Sequence, residues 1–337
     1  MPALTVAQIA ELCGGTAEGD ERLCLTSANS LENAGPLQLS FAGNQKAVLS
    51  SHTSSAGCLL VPLEYDNKEK RTVVRVRDPR RAFAQAVRAL HPEPPWQSGV
   101  HPSAVIALSA QIAPNCFIGP NVIVGERVAI GAGTRVLGGT VVGDDAVLGQ
   151  FCTLHPNVTI YPGVRLQNRV ILHSGCIIGA DGFGFAFTGE NYEKFPQIGS
   201  VLIEDDVELG ANTCVDRGAL GVTQIGSGTK IDNMVHVGHN CTIGKHVVVA
   251  AQTGFSGGVT VGDYAVIGGQ VGVGDKATIQ SRAVVGSGAG ILSSKIVRAG
   301  TPVWGTPARP LREYLHQLAA LGRLPDLLQE LAELRRR

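Results

Sequence analysis

Long apolar runs, an excess of one charge, aromatic side chains and paired cysteines are all scarce in this 337-residue chain, and each shortage removes a class of protein. No stretch of 18 consecutive apolar residues occurs, so a membrane-spanning helix is not expected. The start, Met1 to Val6, lacks a basic segment followed by an apolar core, which predicts a soluble, unexported, cytoplasmic protein. Lys and Arg together number 28, as do Asp and Glu, so there is no general pull toward nucleic acid or an anionic membrane. The eight cysteines include no CxxC pair, which suits reduced thiols used as small hydrophobes and gives a zinc or redox site no support. Aromatic residues make up only 5%, while glycine reaches 43 residues. That imbalance points to a repetitive, glycine-punctuated β architecture.

The repeat is there. From Val100 an aliphatic residue recurs every six positions as far as Ile178, the register breaks over Gly179 to Ser200, and it returns at Ile203, Leu209 and Val215. After a slip of four it runs on from Ile225 to Ile291. A period of six fits neither a helix nor a long alternating strand, but it fits short strands joined by tight corners, with the aliphatic residue pointing inward. Two places before it sits a small residue, and Cys116, Cys152, Cys176 and Cys241 all occupy that slot as core filler. This pattern resembles the hexapeptide-repeat acyltransferases. The resemblance implies a mainly β chain, a left-handed parallel β-helix of about ten coils, in which residues 18 apart stack.

The flanks read differently. Residues 1–98 look like a small α/β domain: Thr5 and Gln8 form a capping box, and a second helix starts at Asp78 and Pro79 with Phe83, Val87 and Leu90 on one face. Residues 99–304 are the β-helix. Residues 305–337 form a helical extension whose Leu311, Leu315, Leu318 and Leu321, then Leu327, Leu328, Leu331 and Leu334, make apolar stripes that want partners.

The segment Ile231-Asp232-Asn233-Met234-Val235-His236-Val237-Gly238-His239-Asn240 resembles the signature of the UDP-3-O-acylglucosamine N-acyltransferases of lipid A synthesis. Gly182-Phe183-Gly184-Phe185, Phe195-Pro196-Gln197-Ile198-Gly199 and Asp216-Arg217-Gly218-Ala219-Leu220 follow the same pattern, as does the helix around Tyr314. The resemblance implies transfer of a 3-hydroxyacyl chain from acyl carrier protein to the amine of a UDP-linked acylglucosamine, in a homotrimer with sites between subunits. It implies no metal and no cofactor beyond the carrier's phosphopantetheine thioester; the balanced charge and the lack of a long apolar run lead us to expect no nucleic-acid partner and no integral membrane segment. Two other readings stay open on the residues: O-acylation of UDP-N-acetylglucosamine, and a nonenzymatic β-helical binding scaffold.

His239, two places past the inward Val237, should face outward and serve as the general base, since a neutral imidazole suits proton removal from an attacking amine. Gly257 lies one coil on, where a missing side chain would let a backbone N–H reach the thioester oxygen. Asp232 and Asn233 resemble residues that hold the sugar and order the base, or else simply form a corner. His236 and His246 receive no assigned part. Lys276 stands where the family commonly has a second histidine, and could meet the carrier's phosphate. In Ser40 to Lys46, Phe41 resembles a uracil-stacking residue, with Asn44 and Lys46 contacting polar groups and Ala47 in place of a second aromatic; the alternative is Phe41 as core. His155 and His173, 18 apart, should stack, a pair short of the ligands a zinc ion needs. Little bulk at Gly286 to Gly290 suggests room for a long acyl chain.

Overall fold

A computed structural model describes residues 3–335; Met1, Pro2, Arg336 and Arg337 of the expected termini lie outside the described residues. The chain forms two units, divided between Trp96 and Gln97.

In the first unit a five-stranded sheet runs Thr16–Glu18, Val73–Arg75, Cys58–Val61, Gln38–Phe41, Ser27–Ala28, antiparallel only at the first pair. The helix Val6–Cys13 carries the expected capping box and ends at Gly14, whose φ of 62° is the left-handed cap that glycine adopts without cost. The helix Pro79–Leu90 begins at the Asp78 cap. Its buried side is Pro79, Ala82, Ala86 and Leu90, rotated from the expected Phe83 and Val87, which stay half-buried. Small alanines let the helix lie close on the sheet.

In the second unit the six-residue period becomes a three-sided parallel β-helix, with ten parallel strands on each of two faces and eleven on the third, where an antiparallel strand, Arg309–Pro310, is added at the end, so the coil number is close to the expected ten. Strands are two residues long in most coils and pair in register with residues 18 further on, as in Phe117 with Arg135 and Ile118 with Val136. Their N–H groups bond to the next coil, for example Phe117 N–H to the Thr134 carbonyl at 3.0 Å. The inward aliphatics from Ile118 to Ile291 form one continuous buried core. Val100, in the first coil, is half exposed because it has a stacked neighbour on one side only.

From Asn115 on, most corners turn through one residue in the left-handed region, three places before the inward aliphatic, recurring every six residues: Asn115, Asn121, Arg127, then from Met234 through Asn240, His246 and Gln252. Asparagine tolerates that conformation; the bulkier residues are held there by the coils on either side. The small slot contains the four cysteines as expected, all buried, and also Thr134, Thr229 and Thr253. Each of these hydroxyls donates to a corner carbonyl one coil on, at 2.7 to 2.8 Å, so the polar atom is satisfied inside the core.

Two interruptions matter for function. After Ala180 the chain leaves the coil as an antiparallel hairpin, Phe185–Phe187 with Tyr192–Lys194, and rejoins at Ser200–Ile203. A shorter excursion follows Asp216, so that Cys214 pairs with His236 and Val215 with Val237. Beyond the helix, Leu311–Gly322 and Leu324–Leu334 are helices without a buried residue, and the expected leucine stripes are exposed apart from the half-buried Leu311.

Candidate active site

His239 is placed by the core. Val237 points inward, Gly238 is buried beside it, and the following residue must turn out at the corner. The ring is then pinned from two directions. A Cβ on Gly257 would lie 2.6 Å from its Cε1 and 2.7 Å from its Nε2, and a Cβ on Gly182 would lie 2.6 Å from the histidine Cβ. Two glycines, one from the next coil and one from the first interruption, therefore let main chain pack directly against the imidazole.

The tautomer follows from a third neighbour. His239 Nδ1 lies 3.0 Å from Asn240 Oδ1, and Asn240 Nδ2 donates to the Leu220 carbonyl at 2.6 Å, which fixes the amide with its oxygen toward the ring. An amide oxygen only accepts, so Nδ1 donates the hydrogen and Nε2 keeps its lone pair. Nε2 is the atom beside Gly257. The Gly258 N–H is spent on the His239 carbonyl at 2.8 Å, whereas the Gly257 N–H makes no backbone hydrogen bond among the described residues. A basic nitrogen and an unspent amide thus share one place, as the lattice reading of His239 and Gly257 expects.

They open onto a cleft of about 630 Å³ whose lining includes Phe183, Asp216, His236, Gly254, Ser256, Gly272 and Asp275. Gly254 and Gly272 stack in register above His236, and a Cβ at either would meet nothing within 4 Å, so the wall is smooth and open there. The room expected further on is largely filled: Trp304 covers Gly286 and Thr306 covers Gly290, each within 3 Å of where a Cβ would be.

Asp216 and His236 also line this cleft; in the sequence Asp216 stood out only within a motif, and neither had an assigned role. The Asp216 carboxylate is nearly buried and its Oδ2 lies 3.6 Å from His236 Nε2. Burial pushes its carboxyl above the ordinary value, while His236 and then His239 pull it back and Asp181 pushes it up. The signal available was the lattice: once the short excursion is counted, Asp216 falls one coil below Gly238.

Other expected residues sit elsewhere. Asp232 and Asn233 occupy a different corner of their coil, where Asp232 accepts from the N–H groups of Asn233 and Ala251 and Asn233 Oδ1 accepts from Ala211 N–H. Within one chain they form the corner and border a second cleft of about 450 Å³ with His173, Glu208 and Lys230; the group bonded to the base is Asn240. Lys276 turns a corner with φ 52°, largely exposed, its stem beside Gly258 and its ammonium 4.0 Å from Asp275; it does not line the His239 cleft, although Asp275 does. His155 and His173 stack at 4.7 Å and 7°, and His173 Nε2 faces Glu208 at 3.1 Å.

In the first unit Phe41 is half-buried with Phe83 against it, ring centroids 4.7 Å apart. Asn44 caps the helix Gln45–Ser51 through the Ala47 N–H at 2.8 Å, and Lys46 is exposed. Among the described residues no helix is long and apolar enough to cross a membrane.

Residues 23–89 match the family model for UDP-3-O-(3-hydroxymyristoyl) glucosamine N-acyltransferase, and residues 223–257 match the bacterial transferase hexapeptide model. A UDP-3-O-acylglucosamine N-acyltransferase of Anaeromyxobacter dehalogenans is 43% identical over 342 residues, covering 100% of this chain and 96% of that one. One of Neisseria gonorrhoeae is 50% identical over 257 residues, covering 76% and 74%. A solved Arabidopsis UDP-N-acetylglucosamine acyltransferase aligns with TM-score 0.56 at 23% identity, over 66% of this chain and 77% of that one, a likeness of fold: the left-handed parallel β-helix. With a full-length relative at that identity, a hexapeptide-repeat β-helix and an outward, glycine-clamped histidine on it, the chain is an acyltransferase and belongs to the UDP-3-O-acylglucosamine N-acyltransferase family.

Proposed function

We propose that the chain moves a 3-hydroxyacyl group from the phosphopantetheine thioester of acyl carrier protein to the 2-amine of UDP-3-O-acylglucosamine, in the cytoplasm, with His239 as base. The observation that carries this reading is the clamped imidazole, its Nε2 bare and beside an unspent amide. As the amine attacks the thioester carbon, Nε2 takes an N–H proton, and the Gly257 N–H donates to the oxygen on which charge gathers. When the C–S bond breaks, the imidazolium returns the proton to the departing thiolate. An amide and a free thiol result, with no redox change and no need of a resident metal or cofactor.

Several supporting parts belong to the same reading. The leucine faces of the two C-terminal helices and the Asp232–Asn233 corner fit a homotrimer, in which that corner from one copy reaches the base of another. Phe41, Asn44 and Lys46 receive the uridine, with Phe83 backing the Phe41 ring. Lys276, Arg309, Arg312 and Arg323 offer positive charge to the acidic carrier and its phosphate. Incubation of the purified chain with 3-hydroxyacyl carrier protein and UDP-3-O-acylglucosamine, with free thiol followed in time, tests the proposal. Thiol release requiring both substrates is expected; release indifferent to the sugar, or none, would defeat it.

A further inference from the structure

The transfer step leaves Asp216, His236 and Asp275 of the cleft without a part, and the first two face each other. Asp216 closes the strand Cys214–Asp216, which pairs with the preceding coil through a register shift at Ala180. Its side chain is 9% exposed, against 53% for His236. The residue above it in the lattice is Gly238, where a Cβ would meet the Phe255 carbonyl at 2.8 Å. With no side chain there, the carboxylate borders the same cleft as both imidazoles.

The charges around it are already committed elsewhere. Asp181 takes Lys194 and stands 3.8 Å from Arg217 Nε, and the Arg217 guanidinium bonds to the carbonyls of Gly179 and Pro162 at 2.7 and 3.1 Å. The thiols of Cys214 and Cys241 are held up by burial, the latter to about 12, and stay neutral. Asp275 lies further along the cleft. Among the described residues, His236 is the one side chain able to take up positive charge within ion-pair distance of Asp216. A nearly buried anion faced by imidazoles is most stabilised when one of them gains a proton.

Resting on His239 as the base, we infer that Asp216 is a positioning residue, the fixed counter-charge for the imidazolium formed at His239 during transfer, and that His236 competes with His239 for that carboxylate. The two side chains then shift the reaction's pH dependence in opposite senses. In Asp216→Asn the anion that favours protonated His239 is gone. The acid limb of kcat/KM moves to lower pH by about one unit, and kcat falls on the order of 10- to 100-fold with KM unchanged. In His236→Gln a competing proton acceptor beside Asp216 is removed, so His239 protonates more readily and the limb moves to higher pH.

The experiment is the pH profile of kcat/KM and kcat for the full-length wild type, Asp216→Asn, His236→Gln and His239→Ala, with the His239 Cε1 proton titrated by NMR in the first three. Opposite displacements, matched by the NMR midpoints, are the expected result. Limbs that stay in place in both variants, even with a lower kcat, would overturn the inference. Should Asp216→Asn fail to fold, an unmoved His239 titration in His236→Gln overturns it alone. A fully active His239→Ala would instead remove the base on which the inference rests, a distinguishable failure.

Discussion

Replacing Gly257 with alanine adds one methyl group at the place where the ring of His239 already lies. The new carbon would sit 2.6 Å from Cε1 and 2.7 Å from Nε2, so the imidazole must give by roughly 0.8 Å to reach ordinary contact near 3.4 Å. The ring has little freedom to retreat. Main chain at Gly182 packs against its Cβ, and moving outward stretches the 3.0 Å bond to Asn240. A displacement near 1 Å at a catalytic group costs on the order of 10²-fold in rate. Loss of a well-aimed oxyanion donor costs about 10² to 10³ in kcat where it has been isolated. Alanine keeps the backbone N–H, but its methyl group both displaces the ring and crowds the approach of the thioester oxygen to that amide, so a fall in kcat of about 10² to 10³ is expected. Gly257 is not in the left-handed region, so alanine suits its backbone and the melting temperature should hold. The assay is sugar-dependent thiol release with a parallel melting curve. Activity within a small factor of wild type, in a folded variant, would refute the clamp.

Two further outcomes are expected. Glu204 accepts from the Ser227 hydroxyl and N–H and from Gln224, and these bonds, the Ser227 hydroxyl foremost, hold its carboxyl below the ordinary value. A lowered carboxyl in the folded chain adds stability above the unfolded value that is lost as pH falls toward the folded one. The melting temperature should therefore drop on acidification through that range, and less steeply in Glu204→Gln, by calorimetry. Second, Cys116, Cys152, Cys176 and Cys241 are buried with burial raising each thiol, Cys176 to about 11, while Cys24 is exposed. A thiol reagent should label Cys24 promptly in native protein and reach the four core thiols only after denaturant is added; prompt labelling of all would contradict the core-filler role.

How far the sequence carried is clear from individual residues. The β-helix was legible because its determinants are local: an inward aliphatic, a small residue two places earlier and a corner residue repeat every six positions, so that period alone places Val237 inside and His239 outside. The same lattice put Gly257 beside His239 and stacked His155 on His173. It failed where the chain leaves the coil. Gly182 packs on His239 only because the first interruption folds back across the wall, and Asp216 borders the cleft only because the second shifts the pairing to Cys214 with His236. Neither return is set by a period. The bulk at Gly286 and Gly290 was misjudged although the lattice held part of the answer, since Trp304 lies 18 residues on from Gly286 and stacks over it, and Thr306 fills the space at Gly290.

The most direct test of the whole account is sugar-dependent thiol release by His239→Ala, measured on protein whose melting temperature and oligomeric state match the wild type. Loss of the base should slow the reaction by about 10² to 10⁴ while the carrier and sugar still bind. A variant that turns over within a few-fold of wild type would contradict it, because no other imidazole in the cleft is clamped against an open amide.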